Sequence, residues 1–182
     1  MLRVILIPVF VSVLMTQNIW ESAHYAALGV FIAASLTDLF DGKIARKRNL
    51  VTNFGKFADP LADKLLVCSA LIVFIHFNSP ECELIPTWVV LVIVAREFII
   101  SGFRLVAAEQ GIVLAASKLA KWKTTTQMVM TILILLDFGI LRVYAPWLVI
   151  AEYVLIYASL VLTVLSLVEY IYKNRSLMKG QM

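Results

Sequence analysis

Residues 38–63 read DLFDGKIARKRNLVTNFGKFADPLAD. The chain has five aspartates, and four of them, Asp38, Asp41, Asp59 and Asp63, fall within this stretch. Apolar runs flank it, about His24–Phe40 before and Pro60–Phe77 after. Asp38 and Asp41 stand three apart near the end of the first run, and Asp59 and Asp63 four apart at the start of the second. On a helix either spacing sets two side chains on one face. Neighbouring helices joined by this basic stretch would bring four carboxylates to one point. Like charges crowded at a membrane edge repel and resist desolvation, unless a cation sits among them. Hard carboxylate oxygens suit Mg2+ or Mn2+. Water can solvate either pair alone, but it does not require two pairs at helical spacing within a Lys- and Arg-rich segment.

Four further apolar segments lie outside this core, giving six in all: about Val4–Met15, His24–Phe40, Pro60–Phe77, Pro86–Val106, Trp122–Phe138 and Pro146–Tyr172. The chain has 182 residues, 62% of them hydrophobic, and a mean hydropathy of +0.91. A water-soluble domain of this length could not hide so much apolar surface. A span takes roughly 20 apolar residues, so six spans with short loops fit the length. Backbone polar groups cannot be left bare in lipid, which makes the spans helices. The expected fold is all-α, a polytopic bundle of six transmembrane helices forming a single domain over residues 1–182. The first segment is short and contains Pro8, so it depends on tilt, flanking residues or local bilayer thinning. No small-residue cleavage site follows it, and it is expected to stay in the mature protein.

The net charge of +4 and pI near 9.1 would raise the question of nucleic acid in a soluble protein. Here the cations lie between apolar runs, where they orient the chain and meet anionic head groups. No nucleic-acid partner is expected. Lys43, Arg46, Lys47, Arg48, Lys56 and Lys64 surround the second connection, and Arg104, Lys118, Lys121 and Lys123 the fourth. Arg3 opens the chain, and Lys173, Arg175 and Lys179 close it. The other three connections hold Arg142 alone. The positive-inside rule therefore puts both termini and both basic connections in the cytoplasm. Cys68 lies within a span and Cys82 in a loop, which does not favour a disulfide.

The central stretch has a finer pattern: Asp38-x-x-Asp41-Gly42-x-x-Ala45-Arg46, eight residues, Gly55-x-x-x-Asp59-x-x-x-Asp63. This resembles the signature of the CDP-alcohol phosphotransferase family at every fixed position. Gly42, Ala45 and Gly55 are small enough for a nucleotide to approach closely, and Arg46 can neutralise phosphate. Taken singly, each small residue reads equally well as helix packing. The resemblance implies that Asp38, Asp41, Asp59 and Asp63 hold two ions of Mg2+ or Mn2+ that clamp the diphosphate of CDP-diacylglycerol. It implies that Gly42, Ala45, Arg46 and Gly55 bind that substrate, and that Asp63 is also the general base toward the acceptor hydroxyl. Membrane lipids and a homodimer are implied as partners.

The signature does not choose the acceptor. Arg96 and Glu97 fall inside the fourth apolar segment, where charge is costly and points to function; structural pairing between helices is the alternative. Arg104, Lys121 and Lys123 sit toward the cytoplasmic side, where snorkelling to lipid head groups is the plainer reading of each alone. Together they suit an acceptor that carries phosphate. Ala95-Arg96-Glu97-Phe98, Gly102-Phe103-Arg104, Lys121-Trp-Lys123-Thr124 and residues 49–57 resemble the branch of the family that uses glycerol 3-phosphate. Arg104, Lys121 and Lys123 would then bind the acceptor phosphate, supported by Arg96. A phosphatidylglycerol acceptor, as in a CDP-diacylglycerol-dependent cardiolipin synthase, is the nearest alternative, and inositol phosphate the next. From another class, a divalent-cation transporter would also use an acidic cluster, but its site is expected near the midplane rather than at one edge.

Overall fold

The computed structural model describes the backbone of residues 2–20, 22–48, 53–80, 82–109, 117–138 and 146–174. Side chains are described over the same ranges except at 2–4, 38–48, 53–63, 106, 108–109 and 146. The regular structure among the described residues is all helical, with no strand. They form α1 (Leu2–Met15), a short 3-10 turn (Thr16–Asn18), α2 (Ala23–Arg48), α3 (Asn53–His76), α4 (Thr87–Glu109), α5 (Lys118–Asp137) and α6 (Pro146–Lys173). Each α-helix contains most or all of one apolar segment.

The helices outrun those segments on the basic side. The segment ending near Phe40 belongs to a helix that continues to Arg48, and the one starting at Pro60 to a helix that begins at Asn53. Lys, Arg and Ala are good helix formers, so a helix can continue past the point where its side chains stop being apolar. Most of the connection between these two apolar segments, from Gly42 to Lys56, is therefore helical. Pro8 does not end α1. One helix among the described residues, Trp147–Lys173, is long and apolar enough by itself to cross a membrane. Its 27 residues reach about 40 Å. The apolar stretches Ile5–Asn18, Ala23–Thr37 and Lys64–His76 are shorter.

The contacts divide the chain into two compact units, Met1–Ile85 with Thr131–Leu148, and Pro86–Met130 with Val149–Met182. In the first, α1 packs on α2 and α3. Ala27, Phe31 and Ala34 repeat at helical spacing and are fully buried, as are Phe10 and Leu14 of α1 and Ala70, Leu71 and Phe74 of α3. The small alanines let the helices approach closely, and the Phe10 and Phe31 rings lie 5.8 Å apart. An aromatic cluster closes one end of this unit. Phe138, just past α5, stacks on His24 at 5.6 Å and meets the edges of Phe74 and Phe77. Phe138 has a φ of 37°, a left-handed conformation unusual for a bulky residue. Asn78 ties the turn after α3: its side-chain oxygen accepts from Leu84 N at 2.8 Å, and its amide donates to Ile85 O at 2.8 Å.

In the second unit, α6 has two unlike faces. Ile150, Val154, Val161, Leu165, Val168 and Ile171 are exposed. Such a surface would be a liability in water and is ordinary against acyl chains. On the other side Glu152, Ile156, Ser159, Thr163 and Ser166 are buried at alternating steps of four and three. The Ser159, Thr163 and Ser166 hydroxyls donate to the carbonyls of Ile156, Ser159 and Thr163 within the helix. A polar seam is thereby carried through an apolar helix at little desolvation cost.

Candidate active site

The acidic signature falls where α2 ends and α3 begins. Asp38 and Asp41 occupy positions three apart in α2, and Asp59 and Asp63 positions four apart in α3. The two helices are consecutive in sequence and in contact. Both pairs therefore have the helical register that their spacing predicts. The side chains of Asp38, Asp41, Gly42, Ala45, Arg46, Gly55, Asp59 and Asp63 lie outside the described residues. What can be said chemically concerns the donor set: four carboxylates on two touching helices offer hard oxygen ligands fit for Mg2+ or Mn2+.

The basic residues belong to the second unit, where a buried ionic network lies among the described residues. Arg96 and Glu97 lie midway along α4 and Lys123 in the second turn of α5; all three are at least nine-tenths buried. One Glu97 oxygen, Oε1, accepts from Arg96 Nη1 at 2.9 Å and also from the Lys123 ammonium. The second guanidinium arm, Nη2, donates to Ser166 Oγ of α6 at 2.8 Å. Three helices are joined through one carboxylate and one hydroxyl. Low dielectric makes such a network strong when paired and costly when broken.

Sequence reasoning grouped Lys121 with Lys123, but the helix separates them. Two residues turn a helix by about 200°, so Lys123 is buried against Glu97 while Lys121 is exposed. Arg104, two turns beyond Arg96 on α4, is half-buried and interacts electrostatically with Tyr170 of α6. Thus Arg96, Lys123 and Glu97 are brought together, Arg104 faces α6, and Lys121 stands apart from the cluster. Sequence reasoning missed Ser166 and Tyr170. The available signal was the run of Ser159, Thr163, Ser166 and Tyr170 at steps of four, three and four inside the long apolar helix α6, a spacing that marks one face.

A family model for CDP-alcohol phosphatidyltransferases matches residues 1–165. The chain is similar to a Bacillus subtilis (strain 168) protein named CDP-diacylglycerol–glycerol-3-phosphate 3-phosphatidyltransferase, at 43% identity over 97% of this chain and 93% of that protein. Proteins of the same name are 38% identical in Escherichia coli (strain K12), over 96% of this chain and 91% of the relative, and 37% identical in Haemophilus influenzae, over 93% and 86%.

Proposed function

The chain belongs to the CDP-alcohol phosphatidyltransferase family, and from that membership we propose that it transfers the phosphatidyl group of CDP-diacylglycerol to glycerol 3-phosphate, with release of CMP. The observation that carries this reading is the agreement in name of relatives 37–43% identical over nearly the whole chain. The complete signature from Asp38 to Asp63 supports it. Detergent-solubilised protein given CDP-diacylglycerol should release CMP with glycerol 3-phosphate. Phosphatidylglycerol and inositol phosphate should do so far less well. A preference for phosphatidylglycerol would make the chain a cardiolipin synthase, and metal flux into vesicles without CMP release would make it a transporter.

In the reaction, an acceptor hydroxyl oxygen forms a bond to the phosphatidyl phosphorus, the bond from that phosphorus to the CMP oxygen breaks, and CMP departs with the electron pair. Asp63 takes the hydroxyl proton. Asp38, Asp41, Asp59 and Asp63 would hold two divalent ions, Mg2+ or Mn2+, which supply neutralisation of diphosphate charge. Gly42, Ala45 and Gly55 leave room for the nucleotide, and Arg46 offsets phosphate charge. Arg104 and Lys121 bind the acceptor phosphate. Lys123, with one hydrogen bond committed to Glu97, adds its charge alongside Arg96. Arg104→Ala and Lys121→Ala should each raise KM for glycerol 3-phosphate about ten- to a hundred-fold, the value of a charge-assisted contact, with KM for CDP-diacylglycerol nearly unchanged. Steady-state kinetics with each substrate varied checks this, and equal losses for both would assign these residues to lipid anchoring.

The reading includes a setting: the bacterial cytoplasmic membrane, crossed by six helices forming one domain, with membrane lipids on its exposed apolar faces and a second copy in a homodimer. The family match runs through both compact units, which supports one domain. Termini and active site face the cytoplasm, on the strength of the basic-residue asymmetry. In a cysteine-free background, an impermeant thiol reagent added to intact cells should label a cysteine at position 82 and spare one at position 49. The reverse pattern would invert the topology.

A further inference from the structure

One oxygen of Glu97, Oε1, serves two buried cations, accepting from Arg96 Nη1 at 2.9 Å and from the Lys123 ammonium. The other arm of Arg96 goes to the neutral hydroxyl of Ser166 at 2.8 Å. The same buried guanidinium is thus met once by a charge and once without one, so hydrogen bonding alone does not call for an anion at position 97. A neutral amide oxygen could accept the same two bonds. What a carboxylate adds is negative charge, placed where low dielectric lets it act strongly on its surroundings.

The reaction proposed above gives that charge a use. The new bond forms at the acceptor's hydroxyl, and the acceptor's own phosphate passes into the product unaltered. Cations that hold this phosphate therefore hold substrate and product alike. Binding of that kind lowers KM without lowering the barrier, and beyond a point it delays departure of the product lipid. Arg96 and Lys123 are the buried members of the basic set, and a buried cation without a counter-charge draws an anion more strongly than an exposed one. Left bare, the two would grip a phosphate dianion through every stage of turnover.

We propose that Glu97 is a positioning residue that limits phosphate affinity: acting through Arg96 and Lys123, it weakens the hold of the acceptor site on a phosphate monoester, so that the product can leave. This deepens the reading of function given above and rests on it. Glu97 touches no reacting atom; it acts through the two bases that it orients and partly neutralises. A phosphate oxyanion also occurs in the diphosphate of CDP-diacylglycerol, so the two substrates must be varied separately.

Glu97→Gln keeps the side-chain shape and an acceptor oxygen while removing the charge. With wild-type protein first shown to release CMP from CDP-diacylglycerol and glycerol 3-phosphate, the variant should lower KM for glycerol 3-phosphate about ten-fold, with KM for CDP-diacylglycerol unchanged. Inorganic phosphate, competing with glycerol 3-phosphate, should inhibit the variant more strongly by a similar factor. Its kcat should fall, with the first turnover of CMP seen as a burst ahead of slow product release. Glu97→Asp keeps a charge but draws it back by one methylene, and should tighten phosphate inhibition about two- to three-fold; it carries the test if Glu97→Gln does not fold. Loss of packing alone moves these values the other way, so a raised KM for glycerol 3-phosphate with weaker phosphate inhibition would overturn the proposal. A fall in KM shared equally by CDP-diacylglycerol would overturn it too. Wild-type protein that ignores glycerol 3-phosphate while using another acceptor would overturn the functional reading, and the proposal with it. An active wild type whose Glu97 variants bind phosphate no more tightly would sink the proposal alone.

Discussion

Asp63→Asn is expected to retain CDP-diacylglycerol in the presence of Mg2+ or Mn2+ while losing about 10²–10⁴ in turnover, the usual consequence of removing a general base. The amide keeps the shape of the side chain and one oxygen able to meet a cation, but it cannot accept the acceptor's proton. Asp41→Asn is the informative partner. It stands directly after the second apolar run, which ends near Phe40, and is assigned only to metal holding, so its loss should weaken nucleotide binding directly. Two measurements on each purified variant separate the roles: CDP-diacylglycerol binding with the metal present, and CMP release with glycerol 3-phosphate. More than about a tenth of wild-type turnover in Asp63→Asn would be far too much for a protein missing its base. Loss of binding as complete as in Asp41→Asn would make Asp63 a metal ligand first, and the base would have to be another group.

The other large effect is expected in stability. Among the described residues, Glu97 is the anion that holds Arg96 and Lys123 together in the buried network. Glu97→Ala leaves two buried cations without their shared counter-charge, which should cost about 3–5 kcal/mol. Unfolding of the detergent-solubilised protein by heat or by added denaturing detergent would register it. Glu97→Ala with Lys123→Met should recover a substantial part of the loss, because the second substitution removes one of the two buried cations that Glu97 holds. A Glu97→Ala protein within about 0.5 kcal/mol of wild type would behave like an ordinary surface substitution, and the network would then have no structural weight. Non-additivity between the two sites is itself part of the expectation, since they share a hydrogen bond.

The helices were legible in the sequence because each contains an apolar run, and lipid leaves the backbone few alternatives. Their cytoplasmic ends were not. Hydropathy reports where side chains stop being apolar, whereas α2 runs on through Lys43 to Arg48 on helix propensity alone. The aspartate register was legible for the opposite reason: it depends on local spacing, and both pairs fall in continuous helix. Arg96 and Glu97 were conspicuous as charges in a span, yet their partners lie far along the chain, Lys123 being 26 residues from Glu97 and Ser166 being 70 from Arg96. Only packing could name them. Lys121 and Lys123 looked equivalent as basic residues two apart, and the turn of α5 made one exposed and the other buried. Ser166 and Tyr170 were readable in principle, but a seam of hydroxyls is faint within a helix this apolar.

The hydroxyl seam of α6 has a bearing on how the protein is made. Because Ser159, Thr163 and Ser166 satisfy themselves against their own backbone, the hydroxyls of α6 need no partner helix when it leaves the translocon for lipid. Among the described residues it is also the helix whose length and apolarity suffice for that step unaided. α4 emerges from the ribosome earlier and carries Arg96 and Glu97 in its middle, charges that find Lys123 only when α5 has followed and Ser166 only when α6 has. The order of synthesis thus runs opposite to the order of autonomy. The dependent helix must be retained, by the insertion machinery or by provisional neighbours, until the self-sufficient one arrives. Biogenesis of this enzyme should therefore be most vulnerable to stalling between α5 and α6, a stage at which Arg96 has met its carboxylate but not its hydroxyl.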